Sequence, residues 1–241
     1  MKSSVIVFPG SNCDRDIAVA LEKFQIKNQM VWHNETNLPK SDLVILPGGF
    51  SYGDYLRAGC IASKSRIMHD IIKHAKEGGL ILGICNGFQI LIETGLLPGV
   101  LLKNKKLRFV SKNVYLKVIN FENHFCLSCV KKNIIELPIA HNEGNYFANA
   151  DTVAKLEAED RVVFRYCTKD GVIPEGGSPN GSVESIAGIL DSSRRVLGMM
   201  PHPERVFHGW QHSDWPGNGR DPAGPGDGRL LFEGVVRHLC R

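Results

Sequence analysis

Short apolar runs alternate with segments of helical periodicity through roughly the first hundred residues of the chain. The runs are short and bounded by turn residues, as is typical of buried strands, and they cover residues 5–8, 29–33, 42–46 and 80–84. Between them, apolar positions recur at helical spacing over residues 14–24 and 55–77. Strands that alternate with helices predict a doubly wound, mostly parallel sheet with helices on both faces. Ligands of such sheets bind beyond the carboxyl ends of the strands, where loops at Pro9, Pro47 and Cys85 would meet.

The pattern changes after residue 109, where extended segments outnumber helical ones. Extended segments are predicted at residues 109–119, 125–130, 161–168, 185–190 and 195–200. No clear linker separates them from the first half, so we expect a β-rich addition to one α/β domain spanning residues 1–241. Residues 208–228 are rich in Gly, Pro and Trp and are expected to be irregular, and residues 230–239 predict a closing amphipathic helix.

Composition narrows the class of protein. The chain has 241 residues, 43% of them hydrophobic, which is ample for a core. The net charge is only +4, and basic residues cluster only at residues 103–106, so we expect no nucleic-acid partner. No apolar run approaches the roughly 20 residues that cross a bilayer, and the start of the chain is too short for a signal peptide. Seven cysteines without a regular framework suggest reduced thiols, and we expect a cytoplasmic protein.

Cys85 stands where a strand pattern gives way at once to a helical pattern. Gly83 and Gly87 flank it at two residues on either side, the pattern of a nucleophile elbow, in which small neighbours let a strained turn hold up one side chain. Unpaired backbone N–H groups and the dipole at the start of a helix favour the thiolate, the form that attacks carbon. A buried structural cysteine is the alternative that this position alone leaves open.

A nucleophilic cysteine needs a base and a group that orients the base. His202 lies between Pro201 and Pro203, just past a predicted strand, and Glu204 would point to the same side of an extended chain. Glu204 could therefore fix the tautomer of the His202 ring. A surface turn is the alternative interpretation of this segment.

Acyl transfer also needs backbone N–H groups aimed at the oxygen that becomes negative. Asn86, directly after the cysteine, supplies one such N–H group. Gly48 and Gly49 end a neighbouring predicted strand, and glycine lets the backbone approach a substrate closely. A plain turn at the end of a strand remains the alternative for this Pro-Gly-Gly segment.

These motifs together resemble a known family. Residues 47–49 (PGG), 83–89 (GICNGFQ) and 201–204 (PHPE) are similar to the three signatures of class I (triad) glutamine amidotransferases, in that family's order. Four longer segments resemble the branch of the family that forms glutaminase subunits of phosphoribosylformylglycinamidine synthases: residues 8–14 (FPGSNCD), 47–57 (PGGFSYGDYLR), 140–146 (AHNEGNY) and 198–205 (GMMPHPER). The resemblance spans nearly the whole chain.

The resemblance implies a flavodoxin-like fold and three groups of site residues. The groups are a catalytic triad of Cys85, His202 and Glu204, an oxyanion hole of Gly49 and Asn86, and substrate contacts from Gly48, Gln89 and His141. One departure concerns position 142, where Asn replaces the glycine expected of the family's His-Gly-Glu-Gly loop. The segment 208–228 also looks longer than expected, and we interpret it as a variable surface loop, with an altered partner contact as the alternative.

The resemblance further implies hydrolysis of glutamine to glutamate and ammonia through a cysteine thioester. Ammonia would pass to a large synthase subunit, which converts formylglycinamide ribonucleotide to its amidine in purine biosynthesis. A small accessory subunit would accompany the large one. The chain lacks both a Walker-type phosphate loop and a Gly-x-Gly-x-x-Gly segment after a strand, so we expect no cofactor here and ATP with Mg on the partner. A stand-alone cysteine hydrolase and a catalytically silent interaction subunit are the alternatives.

Two other groups are interpreted as structural, and no metal site is expected. Cys126 and Cys129 have the spacing of half a zinc site, but no second pair follows, and an extended segment would point them to opposite sides. His208, His212 and Asp214 could ligate a metal from a helix, but the nearby Gly and Pro residues favour a solvated loop.

Overall fold

The structure is a computed structural model that describes residues 1–173, 175–176, 178–215 and 221–239. In chain order its main elements are β1 (Lys2–Val7), α1 (Asp14–Glu22), β2 (Lys27–Trp32), β3 (Leu43–Leu46), α2 (Ile67–Lys76), β4 (Leu80–Ile84), α3 (Asn86–Glu93), β5 (Val100–Leu102), β6 (Val110–Val118), β7 (Ile134–His141), β8 (Asn145–Phe147), α4 (Ala150–Ala158), β9 (Val162–Cys167), β10 (Ile186–Leu190), β11 (Val196–Met199) and α5 (Arg229–Leu239). In this part of the chain, no helix is long and apolar enough to cross a membrane.

Within the described residues, nine strands form one mixed sheet in the order β2-β1-β3-β4-β11-β10-β9-β6-β7. The strands from β2 to β11 pair in parallel, and those from β11 to β7 pair antiparallel. Strands β5 and β8 form a separate two-stranded ribbon. The predicted α/β fold is therefore confirmed, and the β-rich second half extends the same sheet.

The insertion of β11 beside β4 positions the site. Although β11 comes from the end of the chain, its Met199 pairs with Ile84, the last residue of β4. On the other side of β4, Gly83 pairs with Leu46, the last residue of β3. Because parallel strands end at the same edge, the loops that follow all three strands meet there.

The predicted helix over residues 55–77 was too long. Only Ile67–Lys76 is α-helical, and a short 3-10 turn at Ala62–Lys64 precedes it. Leu56 adopts a φ of 66°, which an α-helix does not allow. A Cβ at Gly59 would lie 2.7 Å from the backbone nitrogen of Ile90. The loop therefore packs against α3 instead of continuing α2.

The prediction of an extended segment at residues 125–130 was wrong. The chain turns there, and a 3-10 helix covers Cys129–Lys131. Cys126 and Cys129 are fully buried, and a hydrogen bond between their side chains helps burial raise the pKa of Cys126. The two thiols face each other because the backbone N–H of Cys129 donates to the carbonyl of Cys126 at 2.9 Å, and a turn of this kind places residues i and i+3 on the same side.

The prediction of a solvated loop around His212 was also wrong. His212 is buried, and its ring lies 3.6 Å from a carboxylate oxygen of Glu136 and 3.8 Å from one of Asp227. The Asp227 carboxylate also accepts a hydrogen bond from the backbone of Glu136 in edge strand β7, at 2.8 Å. The described part of the segment therefore contacts edge strand β7 instead of standing in solvent. Residues 216–220 of the predicted irregular segment lie outside the described residues.

Candidate active site

Cys85 occupies a strained turn between β4 and α3. Its φ and ψ are 50° and −104°, a combination that side chains with a Cβ rarely adopt. Its backbone N–H donates to the carbonyl of Met199 at 2.7 Å, and its thiol lies 3.6 Å from the carbonyl of Ala140. Strain of this kind persists only where surrounding structure holds it, and here the contacts with β11 and β7 do so.

The two glycines of the predicted elbow are sterically required. A Cβ at Gly83 would lie 2.4 Å from the Leu91 side chain, and a Cβ at Gly87 would lie 2.0 Å from the carbonyl oxygen of Leu46. Helix α3 therefore rests directly on the sheet. Such close approach brings the first N–H groups of α3, which have no partner within the helix, next to the end of β3.

His202 and Glu204 form a buried hydrogen-bonded pair. The Nδ1 atom of His202 donates to Oε1 of Glu204 at 2.7 Å, and the two residues are 1% and 3% exposed. No described residue forms a hydrogen bond with Nε2 of His202. Since Glu204 fixes the proton on Nδ1, the other ring nitrogen is the one available to the neighbouring Cys85.

Negatively charged neighbours together affect the pKa of His202 more than its burial does. Burial by itself lowers the pKa of His202, but the negative charges of Glu204 and Cys85 hold that pKa well above its ordinary value. The surroundings thus favour an imidazolium at His202, beside the Cys85 sulfur. An adjacent imidazolium stabilises the thiolate form of a cysteine, which is the form that attacks a carbonyl carbon.

Gly48 and Gly49 have separate structural roles. A Cβ at Gly48 would lie 2.6 Å from Cε1 of His202, so the absent side chain makes room for the ring. Gly49 has a φ of 141°, and a Cβ there would meet the backbone of Ser11 at 2.8 Å. Within the described residues, the Gly49 N–H donates to no carbonyl. That N–H and the N–H of Asn86, the first residue of α3, are the free donors that the predicted oxyanion hole requires.

The side chains of Asn86 and Gln89 connect the elbow to the loop after β7. The Asn86 amide donates to Oε1 of Gln89 at 2.9 Å and accepts from the backbone N–H of Ser51 at 3.3 Å. The Gln89 amide donates in turn to the backbone carbonyl of Glu143 at 2.6 Å. Both the amide oxygen and the amide nitrogen of Gln89 thus have partners within the chain. A contact between Gln89 and substrate stays a prediction.

His141 ends β7, one residue after the carbonyl that contacts the Cys85 thiol. Its Nδ1 atom lies 3.0 Å from Oδ1 of Asn104, and burial together with the charge of His202 lowers its pKa to about 4. Asn142 follows and has no positive φ, so its backbone conformation does not require the glycine that the family pattern led us to expect.

Two acidic side chains lie near this loop, and one of them, Asp54, was missed by the sequence predictions. Oδ1 of Asp54 lies 3.4 Å from the amide nitrogen of Asn86, and burial and the charge of Glu143 raise the pKa of Asp54 to about 6. A carboxylate oxygen of Glu143 accepts from the backbone N–H of Ala58 at 3.0 Å. Asp54 lies in a motif used for the family resemblance, residues 47–57, which is the signal that could have found it.

Cys13 and Arg205 were also missed as neighbours of the candidate base. The Cys13 thiol lies 3.8 Å from Nδ1 of His202, and Arg205 donates to the same sulfur at 3.0 Å. Candidate ligand atoms of Cys13, His202 and Glu204 lie within 4.8 Å of one another, as do those of Glu136, His212 and Asp214. In the first group, His202 and Glu204 already satisfy one another through their hydrogen bond.

Comparison with known proteins defines the class. Residues 1–239 match the model of the CobB/CobQ-like glutamine amidotransferase domain. The chain therefore belongs to this family of glutamine amidotransferases.

Individual relatives are more specific. The chain is 52% identical to phosphoribosylformylglycinamidine synthase subunit PurQ of Pelagibacter ubique, covering 99% of this chain and 100% of the relative. The chain is 48% identical to the subunit PurQ of Rhodopseudomonas palustris, covering 100% of this chain and 99% of the relative. Among solved structures, a chain in the structure of PurLQS from Thermotoga maritima is 41% identical with a TM-score of 0.81, covering 99% of this chain and 98% of that one.

Proposed function

We propose that this chain is the glutaminase subunit of a phosphoribosylformylglycinamidine synthase. It hydrolyses glutamine to glutamate and ammonia, and the ammonia serves to convert formylglycinamide ribonucleotide to its amidine in purine biosynthesis. The observation that carries the proposal is a strained Cys85 at a helix N-terminus beside a buried His202–Glu204 pair, whose hydrogen bond is 2.7 Å long. Full-length similarity to PurQ subunits supports the same activity.

The first half of the reaction forms a thioester. The Cys85 thiolate attacks the side-chain amide carbon of glutamine, a C–S bond forms, and the carbonyl electron pair moves onto oxygen. The N–H groups of Gly49 and Asn86 stabilise that oxyanion. When the intermediate collapses, the C–N bond breaks and His202 gives its Nε2 proton to the leaving nitrogen, which departs as ammonia.

The second half hydrolyses the thioester. His202 is now neutral, and its Nε2 atom accepts a proton from water as the water oxygen bonds to the acyl carbon. The oxyanion reforms in the same hole and then collapses, which breaks the C–S bond. Glutamate leaves, and the Cys85 thiolate and the His202 imidazolium are restored. Glu204 orients the His202 ring and stabilises its positive charge throughout.

The proposal includes partners and a compartment. A large synthase subunit holds ATP and Mg and receives the ammonia, and a small accessory subunit completes the complex in the cytoplasm. The similarity to a chain of PurLQS supports an assembly of this kind. No cofactor is assigned to this chain, because the proposed glutaminase steps use only its own side chains, its backbone donors and water.

The test is Cys85→Ala in the reconstituted complex. We expect glutamine-dependent synthesis to fall by more than roughly 10⁴-fold, because the nucleophile is lost. Synthesis with added ammonia should continue at the wild-type rate, because that reaction takes place on the partner. Unchanged glutamine hydrolysis by the variant would overturn the proposal, and hydrolysis of peptides by the isolated wild-type chain would favour a stand-alone hydrolase.

A further inference from the structure

The amide of Asn104 fixes the tautomer of His141. Its nitrogen donates to the backbone carbonyls of His141 and Arg108, at 2.8 Å and 2.9 Å. Its oxygen accepts from the backbone N–H of Gly144 at 3.1 Å and lies 3.0 Å from Nδ1 of His141. Since these partners assign the amide oxygen as an acceptor, Nδ1 must carry the proton. The lone pair of the ring is therefore on Nε2.

That lone pair is buried and unused. His141 is 2% exposed, and no described residue forms a hydrogen bond with its Nε2 atom. A buried acceptor without a partner is destabilising, and it is rare in folded proteins unless a function retains it. The lowered pKa, about 4, means that Nε2 is unprotonated at neutral pH.

The ring of His141 directly follows a backbone contact with the candidate nucleophile. The carbonyl of the preceding residue, Ala140, lies 3.6 Å from the Cys85 thiol. The charge of His202 contributes to the low pKa of His141, so the two rings lie close enough to interact. A Cβ at Gly144 would lie 2.3 Å from the His141 ring, so the loop keeps room for the ring at this position.

We propose that Nε2 of His141 accepts a hydrogen bond from the side-chain amide N–H of glutamine and then from the released ammonia. The inference rests on the proposed glutaminase function. The side-chain amide of glutamine has a carbonyl oxygen, which accepts hydrogen bonds, and an –NH2 group, which donates them. The free N–H groups of Gly49 and Asn86 can bind only the carbonyl oxygen. His141 supplies the complementary partner for the –NH2 group and turns the leaving nitrogen toward the proton on His202.

The protonation state of His141 suits this position. An unprotonated imidazole cannot transfer a proton to ammonia, so it holds the product without converting it to ammonium. Ammonia that remains uncharged retains the lone pair needed for attack on a second substrate. His141 and His202 thereby divide two tasks, one ring accepting an N–H and the other donating a proton.

The test compares two substrates of the reconstituted complex, glutamine and the γ-methyl ester of glutamate. The ester presents the same carbonyl to Cys85 but has no N–H for His141 to accept. The variant His141→Asn keeps a donor to Asn104 and removes the acceptor. We expect it to lower kcat/KM for glutamine by about 10-fold to 100-fold and to leave ester hydrolysis near the wild-type rate. His141→Gln, which returns an acceptor near Nε2, should recover part of the loss.

A matched control is His124→Asn. Burial also lowers the pKa of His124 to about 4, but its ring lies tilted against that of His238, with centroids 3.9 Å apart, so both substrates should react normally. An equal loss of amide and ester hydrolysis in His141→Asn would overturn the inference, because that result describes a structural role. Unchanged glutamine kinetics would also overturn it. If the wild-type complex hydrolyses neither substrate, the proposed function itself fails, and the inference fails with it.

Discussion

His202 and His141 are almost equally buried, at 1% and 2% exposure, yet their surroundings shift their pKa values in opposite directions. The difference lies in what faces Nδ1. A carboxylate oxygen of Glu204 faces the first ring and an uncharged amide oxygen of Asn104 faces the second. Burial lowers both pKa values, and only the ring with negatively charged neighbours remains protonated. The partner of Nδ1 therefore decides which ring can act as an acid.

Removing the charge that distinguishes His202 should have the largest effect. In Glu204→Gln the shape of the pair is retained, but burial is no longer opposed by the carboxylate, so the pKa of His202 falls. We expect kcat for glutamine to drop by about 10³-fold or more, as for comparable triads that lose their carboxylate. Steady-state glutamate release by the complex measures this effect. A drop below 10-fold, taken as a rough threshold, would mean that the charge matters little for catalysis.

Displacing the His202 ring without changing its partner is expected to cost less. A Cβ in Gly48→Ala would lie 2.6 Å from Cε1 of the ring, which must shift to admit it. A misplacement of about 1 Å costs about 10²-fold in activity, and we expect a loss of about that size. The control is Gly95→Ala, where a Cβ meets nothing within 4 Å although φ is 77°. If both variants lose similar activity in the glutaminase assay, the loss is not specific to the position of the His202 ring.

Giving His141 a charged partner should make it resemble His202. In Asn104→Asp, a carboxylate faces Nδ1 of His141, and the pKa of that ring should rise by about 1 to 3 units. We expect a loss of about 10-fold in kcat/KM for glutamine near pH 6, shrinking at higher pH as the ring loses its proton. The pH profile of glutamine hydrolysis measures this. A loss that is the same at every pH would instead reflect the donated hydrogen bonds to His141 and Arg108 that the substitution removes.

The two histidines also differ in how far the sequence predicted their setting. The elbow is local, because an apolar run, two glycines and a helical pattern lie within residues 80–91. The Pro-His-Pro-Glu segment is equally local. Their meeting depends on β11 pairing with β4, which no local pattern encodes. The family resemblance supplied that expectation, and the sheet order now accounts for it.

The surroundings of His141 were much less predictable. Strand β7 was missed because Glu136 and Pro138 interrupt its apolar pattern, and a proline argues against an interior strand. It is tolerated because β7 is an edge strand, and the carbonyl of Pro138 instead accepts the backbone N–H of His202 at 2.9 Å. Asn104 is distant in sequence from the histidine that it orients, so no spacing rule connects the two.

The smallest effect is expected on the stability of the folded chain. Each histidine should make that stability depend on pH in a different range. The folded pKa of His141 is about 4 against 6.5 for an ordinary histidine, so the unfolded chain binds more protons between these values. Stability therefore falls as pH drops from about 6.5 to about 4, by about 3 kcal/mol from this group. His202 has a raised pKa, so its contribution is present below the unfolded pKa and is lost as pH rises through the folded one.

Denaturant unfolding at several pH values can separate these contributions. In His141→Gln the stability of the chain should depend less on pH between about 4 and 6.5 than in the wild type, and its dependence above pH 7 should be unchanged. Glu204→Gln should remove the dependence above pH 7, because it lowers the pKa of His202, and should add a dependence below about pH 6.5, because burial is then unopposed. If Glu204→Gln left the dependence above pH 7 unchanged, the partner of Nδ1 would not be what distinguishes the two rings.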